Sequence, residues 1–138
     1  MNAAAPVLVA YDGSDAAHRA IQKTAELLGS RRAVVLTVWK PGLSVDEVSD
    51  TQGQARAERI AEEGDELAQS LGLQAETLAV AAKGTVAETI IERARERDVA
   101  AIIVGSRGLS GIRARLEGSV SMAVLKESPS PVLIVHAD

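Results

Sequence analysis

Two glycine clusters near the end of the chain carry the residue types best suited to chemistry. The first is Gly105-Ser106-Arg107-Gly108. Nine residues follow, Leu109 to Glu117, and then Gly118-Ser119-Val120-Ser121. Ala101-Ile102-Ile103-Val104, ahead of the first cluster, reads as a buried strand. Met122-Ala123-Val124-Leu125-Lys126, behind the second, reads as a helix. A glycine lets a ligand approach the backbone closely and tolerates positive φ. A helix start offers unpaired N–H groups and a partial positive charge of about half an electron. Glycines at a strand end and again at a helix start therefore suit an anion, of which phosphate is the usual one. A plain structural reading stands beside this, because glycines after strands are common in α/β domains and Ser119 can serve only as a helix cap.

Other residues with chemical potential have simpler readings. Asp12 follows the first apolar run and suits a turn or cap as well as a ligand contact. His18 and His136 lack His or Cys partners nearby in sequence, which disfavours metal ligation. Glu62, Glu63, Asp65 and Glu66 fall mostly on the outer side of a helix. Trp39 reads as core or dimer packing, and Lys83 lies near the candidate site only by its place beside Gly84. Arg113 and Arg115 read as solvent-exposed. The chain holds no G-x4-G-K-[ST] and no G-x-G-x-x-G, which argues against a P-loop ATPase and an ordinary dinucleotide enzyme.

Alternating elements position these residues. Pro6 to Tyr11 and Ala33 to Trp39 are apolar at nearly every position, as strands covered on both faces are. Asp12-Gly13-Ser14-Asp15 stops the first, with Ser14 or Asp15 capping a helix to about Leu28. Ala17, Ala20, Ile21, Ala25 and Leu28 form its apolar stripe, and Gly29 ends it. A second helix is expected from about Thr51 to Leu71, with Ala57, Ile60, Ala61, Gly64, Leu67, Ala68 and Leu71 inward. Gln74 to Ala81 alternates and reads as a half-exposed edge strand. Gly84-Thr85 opens a helix to about Arg97, Asp98 to Val104 is the fourth strand, and Val132 to His136 is the fifth. The order βαβαβαβαβ predicts a parallel sheet with helices on both faces and right-handed crossovers.

Composition bounds the rest. The 138 residues suit one domain spanning 1–138, and 46% of them are hydrophobic, enough for a core. Tyr11 and Trp39 stand alone among aromatics, with no Phe, so an aromatic platform for single-stranded nucleic acid is excluded. A net charge of −4 gives no drive toward nucleic acid or anionic membrane. The absence of cysteine removes disulfides, thiolate zinc sites and cysteine nucleophiles, and fits a reducing compartment. Met1 to Pro6 lacks the apolar stretch of a signal peptide, and no apolar run approaches the ~20 residues that span a bilayer. A cytoplasmic protein is expected.

The spacing G-x2-G-x9-G-[S/T] resembles the nucleotide-binding signature of the universal stress protein family. The likeness extends to the opening VLVAYDGSDAAHRA, to GTVAETI, to GSRGLSGIRARLEGSVS and to the closing SPSPVLIV, and so covers nearly the whole chain. It implies a Rossmann-like fold of the adenine nucleotide α-hydrolase kind, with a five-stranded parallel sheet in order 3-2-1-4-5. In such sheets ligands bind where the strand order reverses, beyond the carboxyl ends of the strands. The resemblance further implies that Asp12 meets the ribose hydroxyls and that backbone near Ala10 and Val38 lines an adenine pocket. By the same resemblance Gly105, Gly108, Gly118, Ser119 and Val120 hold phosphates, with Arg107 in reach of them. Mg²⁺ would then be held mainly by the phosphates of ATP, and AMP or ADP are alternative ligands.

The function expected on these grounds is an ATP-binding stress protein acting as a nucleotide-responsive regulatory or protective module. No general base paired with a nucleophile is visible, which argues against efficient turnover. Slow ATP hydrolysis or autophosphorylation on Ser119 or Ser121 is the alternative from the enzyme class, and a nucleotide-free dimeric partner protein is a third. A homodimer through the last strand, Val132, Leu133, Ile134 and Val135, is expected because an apolar edge strand needs cover and because the resemblance implies such pairing.

Overall fold

The apolar runs pair into the sheet that their pattern demands. The computed structural model describes residues 5–41, 47–106 and 112–136. Strands and helices alternate as β1 (Val7–Ala10), α1 (Asp15–Leu28), β2 (Arg32–Trp39), α2 (Glu47–Ser70), β3 (Gln74–Ala81), α3 (Val86–Glu96), β4 (Ala101–Ser106), α4 (Ile112–Glu127) and β5 (Val132–His136). The strands lie in the order β3-β2-β1-β4-β5 and every pairing is parallel.

Successive residues of a strand point to opposite faces, and both faces are buried. Val7, Val9, Val35 and Ile103 pack with Ile21 of α1 and Ala68 of α2. Leu8, Leu36 and Ile102 pack on the other face with Ile90 of α3 and Val124 of α4. β3 is half-exposed and sits at an edge, as its alternating sequence predicts.

Short-range signals set the helix ends. Ser14 caps α1, its Oγ accepting from the N–H of Ala17 at 3.1 Å. Thr85 caps α3 through a reciprocal pair with Glu88, each side chain accepting from the other's backbone N–H. Gly29 leaves α1 at φ 65°.

Two helix starts and the burial of two leucines differ from the sequence expectation. α2 starts at Glu47 rather than near Thr51. Leu28 and Leu71 are exposed, because each stands where the chain turns away at Gly29 or Gly72 and is carried off the buried stripe. Most consequentially, α4 starts at Ile112 rather than near Met122. Arg-Ala-Arg-Leu-Glu over 113–117 are good helix formers, and one interior glycine costs only about 1 kcal/mol, so Gly118 does not stop the helix. Gly118 and Ser119 therefore lie within α4 and not at its N-terminus.

Candidate functional site

β1 is the shortest strand, and its early end makes the site. Its pairing with β2 stops at Ala10–Leu36 and its pairing with β4 at Val9–Ile103. The flanking strands run on: β2 pairs with β3 as far as Trp39–Ala81, and β4 with β5 as far as Ser106–His136. A cleft of about 240 Å³ opens between the carboxyl ends of β2 and β4. Ala10, Tyr11, Asp12 and Ser14 form its floor, Leu36 and Val38 one wall, and Val104 and Gly105 the other. Val86 and Ile90 of α3, with Val120 and Ser121 of α4, close it from one face.

The backbone at Val38 is the polar centre of the β2 wall. Tyr11 N–H donates to Leu36 C=O at 2.8 Å, and Ala82 N–H donates to Trp39 C=O at 2.8 Å. Backbone groups of successive strand residues face opposite neighbours, so Leu36 and Val38 face β1 while Trp39 faces β3. The next rung toward β1 would join Val38 N–H to Tyr11 C=O. That rung is missing, and Tyr11 C=O instead accepts from Thr37 Oγ1 at 2.9 Å. Among the described residues Val38 N–H and C=O thus face the cleft without a protein partner, a donor and an acceptor side by side in an apolar slot.

The opposite wall is fixed by close packing. A Cβ on Gly105 would stand 2.8 Å from the Ala16 carbonyl carbon, so β4 reaches α1 only through a glycine. Ser121 is buried and its Oγ donates to Gly105 C=O at 3.1 Å, which ties α4 to the end of β4. Below the cleft, Tyr11 is buried and its hydroxyl hydrogen-bonds His18 Nε2 at 2.9 Å, ring edge to ring face. Burial, and then the negative charge of Glu63, push the Tyr11 phenol above its ordinary 10.0. Asp12 is exposed at the rim, where its Oδ1 accepts from Ser14 N–H at 3.0 Å.

Of the residues expected from sequence, Ala10, Asp12, Val38, Gly105 and Val120 come together in this cleft. Gly118 and Ser119 lie in α4, and Arg107 and Gly108 lie outside the described residues. Val86 and Ile90 carry no site signal in the sequence, since their spacing of four is the ordinary stripe of a buried helix face. Nothing short-range says that α3 crosses the end of β1. Trp39 packs against Gly53, where a Cβ would stand 2.6 Å from its ring, and its Nε1 donates to Gln54 Oε1 at 2.6 Å. Among the described residues no three His, Asp or Glu side chains gather to hold a metal ion.

A wider groove of about 540 Å³ lies at the amino ends of the strands, lined by Pro6, Arg32, Gln69, Gln74 and Glu76 among others. Three of these side chains already have partners. Gln69 donates to Asp65, Gln74 to Ser30 C=O, and Arg97 to Glu76. The cleft at the strand reversal is where open sheets take ligands, and it is the candidate site.

A doubly wound parallel sheet with four helices over its two faces defines a Rossmann-like α/β domain. The chain matches the universal stress protein family over residues 4–136 and belongs to it. It is similar to universal stress protein YxiE of Bacillus subtilis, at 39% identity over 94% of this chain and 97% of that one. It is 31% identical to a universal stress protein of Thermus aquaticus, over 94% and 97% of the two chains. Among solved structures, a universal stress protein in complex with cAMP superposes with a TM-score of 0.77 at 27% identity, over 99% of this chain and all of that one.

Proposed function

We propose that the cleft binds an adenine nucleotide, ATP in the first place, and that the chain works in the cytoplasm as a nucleotide-responsive regulatory or stress-protection module. The observation that carries this reading is the N–H and C=O of Val38, which lack a partner among the described residues and face an apolar slot. Adenine presents an acceptor, N1, beside a donor, the N6 amino group, and so complements the pair. Hypoxanthine presents the reverse, an N1–H donor beside the O6 acceptor. Val38, Val86 and Ile90 supply aliphatic surface for the base. The cAMP held by a related protein of similar fold supports the same assignment.

The cleft falls below the roughly 300–1,000 Å³ of a whole ligand site, so it suits the base and sugar and leaves the phosphates at the mouth. Asp12 at the rim is assigned to the ribose hydroxyls, which a carboxylate accepts well. Gly105, Arg107, Gly108, Gly118, Ser119 and Val120 are assigned to the phosphates, with Mg²⁺ carried mainly by the phosphates themselves. Because Gly118 and Ser119 lie within α4, their amides reach a phosphate only after the first turns of that helix unwind. AMP and ADP share the base and ribose contacts and bind by the same slot.

The proposed assembly is a homodimer through β5. This strand lies at the sheet edge, and among the described residues only its β4 side is paired. Val132, Leu133, Ile134 and Val135 carry no charge to discourage pairing, and a two-fold axis would let the strand cover its own copy.

Titration calorimetry tests the ligand. AMP and ATP with Mg²⁺ are expected to bind, and IMP to bind at least about tenfold more weakly, the scale of a mismatched hydrogen-bond pair. Failure of AMP to bind, or equal affinity for IMP, overturns the reading.

A further inference from the structure

The missing rung between Tyr11 and Val38 has an identifiable cause. β2 is buried from Ala33 to Thr37, and four of those five residues are Ala, Val, Val and Leu. Within that buried run Thr37 alone carries a hydroxyl, at 3% exposure. Burying a hydroxyl is unfavourable unless it is hydrogen-bonded, and a Val of nearly the same shape would avoid that cost. The Thr37 hydroxyl donates to Tyr11 C=O at 2.9 Å. That carbonyl is the acceptor that Val38 N–H would use if the parallel ladder continued.

We infer that Thr37 is a positioning residue for the ligand edge. Its hydroxyl satisfies Tyr11 C=O, stops the β1–β2 ladder at Leu36, and so keeps Val38 N–H directed into the cleft. Deleting the hydroxyl leaves a buried carbonyl without a donor, and the nearest backbone donor in the ladder is Val38 N–H. The strands then close by one rung, and the donor that meets N1 of the base is consumed inside the protein. The ligand half of this inference rests on the adenine reading above; the strand half does not.

The experiment has two arms. In the first, amide exchange is followed by NMR without nucleotide. Val38 N–H of the wild type exchanges much faster than Leu36 N–H, and in Thr37→Val it slows at least about tenfold, as a newly bonded amide does. Thr37→Ser keeps the hydroxyl and exchanges like the wild type. In the second arm, AMP and 1-deaza-AMP, which lacks the N1 acceptor, are titrated. The wild type prefers AMP by about tenfold, the scale of one hydrogen bond, whereas Thr37→Val binds both alike at the weaker level. A Val38 amide already protected in the ligand-free wild type, or unchanged in Thr37→Val, overturns the inference. So does a Thr37→Val that still distinguishes the two nucleotides. If the wild type binds neither, the adenine reading fails while the exchange arm still decides the role of Thr37. Should Thr37→Val not fold, Thr37→Ala, which removes the hydroxyl without adding volume, carries both arms.

Discussion

Gly105 and Ala16 meet so closely that no side chain fits between them. A Cβ on Gly105 would lie 2.8 Å from the Ala16 carbonyl carbon and 2.9 Å from its Cβ. The contact holds the first turn of α1 against the end of β4 and so sets the width of the cleft. The glycine that its spacing marks as a phosphate contact is therefore required first by packing. Gly105→Ala is expected to lower stability by about 1–3 kcal/mol, the scale of overpacking, in urea unfolding without nucleotide. Unchanged stability would mean that α1 shifts freely and that the glycine serves only a ligand.

Ligand linkage gives a second expectation. A nucleotide that binds the folded chain alone stabilises it by about 2.7 kcal/mol at a hundredfold excess over Kd. ATP with Mg²⁺ is expected to raise the Tm in calorimetry of nucleotide-stripped protein, and Val38→Pro, which removes the N–H at the cleft, to abolish the shift. No change in the wild type at millimolar ATP counts against nucleotide binding.

Tyr11 makes stability depend on alkaline pH. Its phenol is raised above 10.0 by burial first and by Glu63 second. A raised phenol favours the folded state while it stays protonated. That contribution is complete below the unfolded value of 10.0 and is lost as pH rises through the higher folded value. Tyr11 is the only tyrosine, so absorbance at the phenolate band titrates it alone, with a midpoint expected above 10.0. Tyr11→Phe is expected to flatten the fall in Tm above pH 10 relative to wild type, while losing the His18 hydrogen bond. A midpoint at or below the ordinary value would show the phenol to be open to water.

The edge strand offers a test of assembly. Ile134 lies mid-way along β5, with its side chain on the α3–α4 face. Ile134→Lys would bring two like charges together near a two-fold axis in an apolar seam. Light scattering at micromolar concentration is expected to give a dimer for wild type and a monomer for the variant, with circular dichroism confirming that the variant stays folded. A monomeric wild type, or a variant that remains fully dimeric, removes β5 as the interface.

The sequence by itself determined the alternation of strands and helices, because each element is written in short-range terms. β-branched runs without polar breaks mark strands buried on both faces. Ser14, Thr85 with Glu88, and Gly29 act on backbone groups within a turn of themselves, and each does in the fold what its position announces. The glycine spacing and the flanking motifs pointed to the family. The tertiary structure decided what surrounds the site, because those relationships join residues far apart in the chain. Among the described residues Val38 keeps an open N–H and C=O because β1, nearly thirty residues earlier, stops at Ala10. Val86 and Ile90 belong to the core stripe of α3 and also roof the cleft, because α3 crosses that same strand end. Gly105 answers to Ala16, and Gly118 falls inside α4 because the residues before it prefer a helix. Local propensity names the elements, but which backbone groups lack partners follows from where neighbouring strands end, and that only the assembled sheet fixes.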